Sequence, residues 1–550
     1  MFTLRTLTSY ILLTLLCLAL FVPGFNTLPV VDRDGAHFGQ ATKQMLETGD
    51  YFKIRYQDTT RFQKPPGINW LQALSVRLTD ADLQQIWAYR IPSILGALLA
   101  VLLLFSFIKP ICGHGVAQWA SALLAVTLLL TIEAHMAVTD TLLLATIVLM
   151  QGALWRVYLN FQTEKPPGWG WPLVFWLAMS AGFLIKGISP LIGLLTLATL
   201  ALVERRWLVI RYSKPIIGVL IFILSSSWLI WVSQAEQANY LGEMITKDLW
   251  PKLISGHESH GAPPGYHLLL LVATFWPASL FLWQAGVWGI RFRKQVNITF
   301  LLAWFIPCFA FYELMPTKLP QYVLPLLPAL AVLAGYAIQR AEQSPITGKH
   351  WVWLRFLYVL WGLFSIGLAG SLVTLPVFIE GHWFVSAVIA GSATVIMVII
   401  ALIAVFNRYF KVAALTVILS TLAIYPPTWH ITLPNLKQIW LTEKIIEHLN
   451  IHAVTEQLTD DHPLIAIGYR EPSLTFRLGT YQVRYIADDH ALTFLQNQSP
   501  EFVLITQALW QPLQAQLPNF VILDKWQGLH YSKGRRVTLL LLHNQAHAHE

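Results

Sequence analysis

Charged side chains stand next to long apolar segments at several points of the chain. Asp34 follows the first apolar segment in "VVDRDGAHFGQATKQML", and Asp140 opens a later one in "AVTDTLLLA". Lys186 separates two apolar runs in "FLIKGISP". A carboxylate can act as a general base on an acceptor hydroxyl, and lysine ammonium groups bind phosphate as point charges. These residue types therefore indicate chemistry on an anionic lipid headgroup.

Three further stretches carry polar side chains of the same kinds. Lys64 lies in "RFQKPPGINW", and Lys318 and Tyr322 lie in "ELMPTKLPQY". Between them, "KDLWPKLISGHESHGAPPGYH" contains Glu258 and His260, which are side-chain types that bind divalent cations. The spacing in this last stretch is not that of an HExxH motif. It is a weak metal signal on its own.

Each of these residues also has an ordinary structural explanation. Asp34 could be a solvated loop acid or the cap of a helix that begins there, and Asp140 could cap the next helix. Lys64 and Lys318 could extend their ammonium groups to lipid headgroups. Lys186 is harder to explain in this way, because a hairpin turn can be built from Gly and Ser without a cation. The residue types alone leave these alternatives open.

The composition indicates the class of protein that carries these residues. Of the 550 residues, 55% are apolar and only 12% are charged, whereas soluble domains carry about 25% charged residues. This composition is typical of a polytopic α-helical membrane protein. The net charge is +8, but no basic arm or Arg-rich helix is present, which argues against nucleic-acid binding. The three cysteines have no metal-type spacing and give no disulfide framework.

Apolar segments long enough to span a membrane recur along the chain up to residue 427. A spanning helix needs about 20 mostly apolar residues. The first segment is predicted to be an uncleaved span, because no small-x-small cleavage site follows it. About thirteen spans are predicted: 8–28, 88–108, 115–132, 139–156, 171–186, 188–204, 215–235, 266–289, 298–314, 320–338, 354–376, 384–406 and 411–427.

Basic residues orient these spans. They cluster on alternate loops, such as the one with Arg205, Arg206 and Arg211, and such loops are cytoplasmic by the positive-inside rule. The loops at about 29–87 and 236–265 then lie outside. The chemistry-bearing residues all fall on this outer face, which predicts a single outward-facing site.

The sequence predicts a membrane domain and, on its outer face, two folded elements: a C-terminal domain and a helix in the first loop. Residues 1–427 form the membrane domain, and residues 428–550 form a small extracytoplasmic α/β domain after a break at Pro426 and Pro427. In that domain "PLIAIGYREPSLTFRLGT", "EFVLIT", "FVILDKW" and "RVTLLLL" predict strands, and "LTEKIIEHLN" predicts a helix. In the first loop "HFGQATKQMLETGDY" predicts a helix that lies along the membrane surface.

Four motifs occur in the order found in bacterial GT-C glycosyltransferases: the first loop, "LIKG", "SHGAPPGY" with its following "FWP", and "KLPQYVLPLLPALA". Over about residues 8–340 the chain resembles lipid A aminoarabinose transferases and protein O-mannosyltransferase-like enzymes, glycosyltransferase families 83 and 39. The resemblance implies a GT-C fold and inverting transfer of a hexose or pentose from a polyprenyl-phosphate carrier such as undecaprenyl phosphate. The implied acceptors are lipid A, lipopolysaccharide or protein. The implied location is the bacterial inner membrane, with the site and the C-terminal domain facing the periplasm.

The same resemblance assigns roles by motif match. Asp34 takes the place of the family's catalytic first-loop aspartate, and Asp140 matches a second acidic position near the active site. The residues matched to positions that bind the carrier phosphate or the donor are Lys64, Lys186, Lys318 and Tyr322.

The chain departs from the family pattern at two positions. Gly35 stands where the family often has Glu, and Gln63 stands where an acid would accompany a metal-site histidine. His260 matches that histidine, and Glu258 could replace the missing acid. Because a neutral amide is a poorer ligand for a dication, the sequence requires no cofactor and leaves a divalent metal at His260 and Glu258 as the candidate.

Two other classes of protein stay open as alternatives. A transporter or flippase of lipid-linked sugars would also have many spans and buried charges, but transporters usually show internal repeats, and the first-loop pattern has no second copy. A scaffolding membrane protein whose outer domain recruits partners would leave the ordered charged motifs unexplained. The glycosyltransferase hypothesis is therefore preferred.

Overall fold

The computed structural model describes residues 4–61, 64–165, 168–235, 239–254, 261–341, 347–498 and 500–547. Within these ranges, nine helices are long and apolar enough to cross a membrane, and two bent helix pairs would raise that number to 11. Two shorter apolar helices, Gly170–Lys186 and Ser189–Glu204, accompany them. Each of the thirteen predicted segments coincides with one of these elements, while the exact number of spans stays a prediction.

The α-helices of the membrane bundle are Leu4–Phe21, Ile86–Cys112, His114–Ala125, Leu128–Ala134, Asp140–Gln162, Gly170–Lys186, Ile192–Glu204, Leu208–Tyr212, Pro215–Ser225, Ser227–Ala235, Tyr266–Thr274, Leu282–Arg291, Val296–Leu314, Leu327–Arg340, Gly348–Glu380, Val385–Phe406 and Phe410–Pro427.

Close packing in the middle of the bundle fixes the start of the helix Asp140–Gln162. This helix crosses Ile86–Cys112 at Gly96, where an added Cβ would lie 2.6 Å from the backbone nitrogen of Leu142. Glycine is needed there because any side chain would force the two backbones apart. The N-terminus of the helix, and with it Asp140, is held by that contact.

A buried arginine fixes the chain where it leaves the first helix. Arg90 is 1% exposed, and its guanidinium donates to the carbonyl oxygens of Phe25 at 2.9 Å, Leu28 at 2.6 Å and Pro29 at 2.6 Å. These carbonyls follow the helix Leu4–Phe21 and would otherwise be buried without partners. The segment that leads to Asp34 is thereby anchored on the bundle.

The first loop folds into two helices and a two-stranded hairpin. The helix that begins at Asp34, named here the loop helix, covers Asp34–Thr48. The hairpin pairs Arg55–Tyr56 with Thr59–Thr60. The helix Gly67–Thr79 packs so closely on Gly170–Lys186 that a Cβ at its first residue would lie 2.5 Å from the carbonyl oxygen of Leu184.

The prediction that the loop helix lies along the membrane surface is wrong. Ten of its residues, Gly35 to Met45 except His37, are buried. Its polar side is covered by the C-terminal domain: Gln40 Nε2 donates to Thr480 Oγ1 at 2.7 Å, and Lys43 Nζ donates to the carbonyl oxygen of Phe476 at 2.9 Å. The loop helix has a polar face as the sequence pattern predicts, but this face contacts the C-terminal domain instead of water.

The C-terminal domain contains a mixed five-stranded sheet. The strands lie in the order Val483–Ile486, Leu464–Ile467, Phe502–Thr506, Arg535–Asn544 and Phe520–His530, the first three parallel and the last two antiparallel. The predicted helix "LTEKIIEHLN" is confirmed. The domain helices are Leu441–Ile451, Pro472–Leu478, Ala491–Gln498 and Gln507–Trp510.

Two details of this domain differ from the sequence prediction. The stretch "PSLTFRL" forms the helix Pro472–Leu478 instead of a strand, because Pro472 occupies the first helical position, where the missing N–H costs nothing. The break predicted at Pro426 and Pro427 is absent. The helix Phe410–Pro427 continues through the wider turn Thr428–Thr432, in which the backbone N–H of Leu433 donates to the carbonyl oxygen of Thr428 at 2.9 Å.

Candidate active site

A cavity of about 400 Å³ lies where the two outer loops meet the bundle. Its lining includes apolar side chains such as Leu143, Ile192 and Phe311. The polar and charged side chains of the lining, named here the polar wall, come from distant points of the sequence. They include Lys64, Asp140, Lys186, Lys252 and Tyr322.

Asp140 and Lys186 form an ion pair at the centre of the polar wall. Lys186 Nζ lies 2.5 Å from Asp140 Oδ1, with the side chains 14% and 8% exposed. Asp140 is the first residue of its helix, and Lys186 is the last residue of Gly170–Lys186. Each charge thus stands at the helix end that its sign favours. Asp140 also accepts a hydrogen bond from the Thr139 hydroxyl at 3.3 Å. Thr139 occupies the N-cap position and no side chain caps this helix, so Asp140 is not its capping residue.

Glu133 lies close to this pair and was missed in the sequence. It belongs to the helix Leu128–Ala134 and is 6% exposed. The charges of Asp140, Lys186 and Asp34 all act on it. An acid inside an apolar segment, here "LLLTIEAHM", is costly and is the signal that could have identified it.

Asp34 stands at the exposed first position of the loop helix. The residue before it, Arg33, occupies the N-cap position and makes no side-chain cap hydrogen bond, so Asp34 is not the capping residue. Asp34 does not line the cavity, but its charge acts on Lys186 and Glu133. A carboxylate accessible to solvent therefore stands within electrostatic reach of the Asp140–Lys186 pair.

His37 follows Asp34 by one helical turn. Its ring packs on Tyr56 with centroids 4.9 Å apart. Burial, with a contribution from Arg61, lowers the pKa of His37 to about 4. His37 is therefore neutral at physiological pH and adds no positive charge beside Asp34.

Lys64, Lys252 and Tyr322 complete the polar wall from three separate segments. Lys64 precedes the helix Gly67–Thr79, and Tyr322 lies in the short 3-10 segment Pro320–Leu326. Lys252 lies in the second-loop helix Trp250–Ile254. It was not predicted from the sequence, where Glu258 and His260 were the candidates in this loop. The structure thus brings three lysines and a tyrosine to one cavity.

Lys318 does not line the cavity, although Tyr312 and Met315, two of the residues that it contacts, do. Its ammonium donates to the carbonyl oxygens of Tyr312 at 3.2 Å, Glu313 at 2.6 Å and Met315 at 2.5 Å. These carbonyls end the helix Val296–Leu314. A lysine there satisfies the last carbonyls of the helix and complements its dipole. In this structure the donors of Lys318 are directed at backbone, and its assignment to the carrier phosphate stays a prediction.

The Lys318→Met variant tests whether Lys318 serves the end of the helix or the carrier phosphate. We expect its thermal unfolding midpoint in detergent to fall, because hydrogen bonds from charged groups each contribute about 1.5–3 kcal/mol. Its affinity for undecaprenyl phosphate should stay at the wild-type value. An unchanged midpoint together with lost affinity would return Lys318 to the phosphate site.

The predicted metal ligands lie outside the described residues. Gln63, Glu258 and His260 all fall in the gaps of the structure. Across the ranges that are described, no group of three or more His, Cys, Asp or Glu side chains is placed to hold a metal ion. A divalent metal at His260 and Glu258 stays a prediction.

Known proteins resemble this chain in both fold and sequence. A crystal structure of ArnT from Cupriavidus metallidurans bound to undecaprenyl phosphate superposes with a TM-score of 0.72 over 97% of both chains, at 17% identity. The chain has the ArnT fold. The archaeal oligosaccharyltransferase AglB from Archaeoglobus fulgidus matches less closely, with a TM-score of 0.54 at 10% identity, over 97% of this chain and 74% of that one. The predicted architecture, a GT-C helical membrane domain with a small α/β domain, is confirmed.

Sequence comparison finds the relatives that the motifs predicted. The family model described as "Dolichyl-phosphate-mannose-protein mannosyltransferase" matches residues 63–231. An undecaprenyl phosphate-α-4-amino-4-deoxy-L-arabinose arabinosyl transferase of Pseudomonas fluorescens is 26% identical over 58% of this chain and 58% of its own length. A Pseudomonas aeruginosa transferase of the same description is 26% identical over 56% of this chain and 55% of its own length. The match to these curated relatives thus spans little more than half of their length.

Together these findings identify a multi-pass membrane protein with the ArnT fold. The cavity with Lys64, Asp140, Lys186 and Tyr322 lies within the part of the chain that carries the recognised motifs. Asp34 begins the loop helix, and its charge acts on Lys186 in the cavity lining.

Proposed function

We propose that this protein transfers a sugar from a polyprenyl-phosphate carrier to an acceptor outside the cytoplasm. The observation that supports this most is the cavity, whose lining combines apolar side chains with three lysines. A prenyl chain suits the apolar side chains, and a phosphate suits the ammonium groups of Lys64, Lys186 and Lys252. The Tyr322 hydroxyl adds a neutral donor to the same lining.

We propose that Asp34, whose charge acts on Lys186 in the cavity lining, is the general base of the reaction. An acceptor hydroxyl attacks the anomeric carbon from the side opposite the phosphate, and its proton passes to the Asp34 carboxylate. The bond between the anomeric carbon and the phosphate oxygen breaks, and the electron pair leaves with the polyprenyl phosphate. The lysines stabilise the negative charge that develops on the leaving phosphate. A single displacement of this kind inverts the anomeric configuration.

The pair Asp140–Lys186 has a supporting part in this scheme. Asp140 holds the Lys186 ammonium at the polar wall through the 2.5 Å contact. The positive charge of Lys186 also acts on the nearby carboxyl group of Glu133, on which the charges of Asp140 and Asp34 act as well. We propose that it stays protonated and presents its remaining hydrogens to the donor phosphate.

The identity of the sugar and acceptor is proposed by analogy with the relatives. Their names describe transfer of 4-amino-4-deoxy-L-arabinose from undecaprenyl phosphate. We propose a pentose or hexose of this carrier as donor and lipid A or lipopolysaccharide as the first acceptors to test, with protein as the second. This function places the protein in the bacterial inner membrane with its cavity toward the periplasm.

The deciding experiment uses purified full-length protein in nanodiscs and a panel of radiolabelled undecaprenyl-phosphate sugars. Transfer of label to lipid A or to another added acceptor would support the proposal. If no donor is consumed but labelled lipid moves across proteoliposomes, the protein is a transporter and the proposal fails.

Lys64→Gln tests the phosphate site directly. We expect its affinity for undecaprenyl phosphate to fall about 10- to 100-fold, because a charge-assisted hydrogen bond contributes about 1.5–3 kcal/mol. The matched control is Lys53→Gln, a lysine of the same loop outside the cavity, which should bind like the wild type. Equal loss in both variants would show that the charge of the whole loop, and not a specific contact, attracts the lipid.

A further inference from the structure

The C-terminal domain contacts the two residues that precede Asp34. The backbone N–H of Asp32 donates to the Tyr531 hydroxyl at 2.6 Å, and Asp32 Oδ1 accepts from the backbone N–H of Ser473 at 3.1 Å. The Arg33 guanidinium donates to the carbonyl oxygen of Ser532 at 3.2 Å. Every one of these partners lies more than 400 residues away in the sequence. The turn before Asp34 is therefore held from outside the first loop.

This turn has an unfavourable backbone conformation. Arg33 has φ 66° and ψ −118°, a region that residues other than glycine rarely adopt and that costs about 1–3 kcal/mol. Such a conformation persists only where the surroundings enforce it. The contacts to Asp32 and Arg33 are the enforcement that the structure shows.

The carboxylate of Asp32 adds a second unfavourable feature. Burial, with a contribution from Glu471, raises the pKa of Asp32 to about 7. Glu471 is itself held by His530 Nε2 at 2.6 Å and by the Ser532 hydroxyl. Two acids and a strained residue would not be expected at an interface that served docking alone.

The domain also supports the loop helix one turn after Asp34. The His37 ring packs on Tyr56, and the Tyr56 hydroxyl lies 3.0 Å from Thr475 Oγ1. Thr475 Oγ1 in turn lies 2.9 Å from the Tyr485 hydroxyl. The turn before Asp34 thus contacts the C-terminal domain directly, and the helical turn after it contacts the domain through the side chain of Tyr56.

We propose that the C-terminal domain is a positioning element of the active site, which fixes the Asp32–Arg33 turn through Tyr531, Ser473 and Ser532 and so directs the Asp34 carboxylate. This inference rests on the function proposed above. Tyr531, Asp32 and Arg33 are positioning residues, since they act through Asp34. The domain is then required for turnover even where it touches neither donor nor acceptor.

The Tyr531→Phe variant tests the proposal in the full-length protein. It removes one hydroxyl and keeps the ring that packs on Trp440 with centroids 6.0 Å apart. We expect kcat to fall about 10- to 100-fold, because a misplacement of about 1 Å costs that much, while the KM values for the labelled donor and for the acceptor stay unchanged. Amide hydrogen exchange of residues 31–37 should become faster.

The matched control is Tyr481→Phe. The Tyr481 hydroxyl accepts from Gln44 Nε2 at 3.4 Å, so this variant removes a contact between the same two elements at the end of the loop helix far from Asp34. We expect its kcat to equal that of the wild type. A lower kcat of the same size in both variants would show that the domain only stabilises the loop, and the proposal would be overturned.

Two other outcomes would also decide against the proposal. A raised KM for the acceptor with unchanged kcat in Tyr531→Phe would assign the domain to acceptor binding. Wild-type exchange rates at residues 31–37 in Tyr531→Phe would show that the hydroxyl does not hold the turn. If the wild-type protein turns over no donor, the proposed function fails, while the exchange measurement still tests the positioning by Tyr531.

Discussion

The Asp34→Asn variant is expected to bind undecaprenyl phosphate as tightly as the wild type and to transfer sugar about 10²- to 10⁴-fold more slowly, as is usual when a general base is removed. Asp34 is exposed and forms no part of the cavity wall, so the substitution leaves both packing and phosphate binding intact. What it removes is the group that accepts the acceptor's proton. The measurement is kcat with the labelled donor in nanodiscs, alongside binding of undecaprenyl phosphate.

Asp58→Asn is the matched control for this variant. Asp58 is an exposed aspartate in the turn of the hairpin in the same loop, and its loss changes the loop charge by the same amount. We expect its activity to match that of the wild type. A wild-type rate in Asp34→Asn would remove Asp34 from the chemistry and leave it as a solvated residue at the start of a helix.

The Lys186→Met variant is expected to lose both activity and stability. It leaves the Asp140 carboxylate, 8% exposed, without the ammonium that stands 2.5 Å away. Removing one partner of a buried pair costs about 3–5 kcal/mol, because the other charge stays buried without compensation. Glu133, also buried, would face the same loss. We expect a lower thermal unfolding midpoint and a loss of transfer of at least about 100-fold.

A double variant separates the two effects. Asp140→Asn combined with Lys186→Met removes both charges and should recover much of the lost unfolding midpoint, because a neutral buried pair carries no desolvation penalty. Transfer should stay low, since the phosphate still lacks the Lys186 ammonium. Recovery of activity along with stability would show that the pair serves the fold alone.

The exposed pair Glu243–Lys247 provides the control. Its ammonium and carboxylate are 2.8 Å apart, but the lysine side chain is 65% exposed. Surface pairs contribute about 0–1 kcal/mol, so Lys247→Met should leave the unfolding midpoint close to that of the wild type. A large shift in this variant would mean that detergent, and not burial, governs the measured effect.

The sequence determined the architecture because its signals are local. Apolar segments about 20 residues long predict helices wherever they occur, and the structure contains an apolar helix or bent pair at each predicted segment. The alternation of basic loops predicted that Asp34, Lys64, Asp140 and Lys186 lie on one side of the membrane. The structure brings Lys64, Asp140 and Lys186 to one cavity, while the roles of these residues stay predictions.

Only the tertiary structure decided which charges are available to a substrate. Lys318 and Lys186 received the same phosphate- or donor-binding role by motif match. In the fold the Lys318 ammonium is bonded to three backbone carbonyls of its own segment, while Lys186 meets an aspartate 46 residues away at the cavity wall. Which partner an ammonium finds depends on how distant segments pack.

The same reason explains the loop helix and the residues that were missed. The pattern of the loop helix showed one polar side, but a pattern does not show whether water or a domain that begins nearly 400 residues later covers that side. Glu133 and Lys252 belong to the site through packing with segments far away in the chain. Periodicity and charge sidedness are properties of short segments, and the sequence determined these. The partners of buried charges are properties of contacts between distant segments, and only the folded chain decided them.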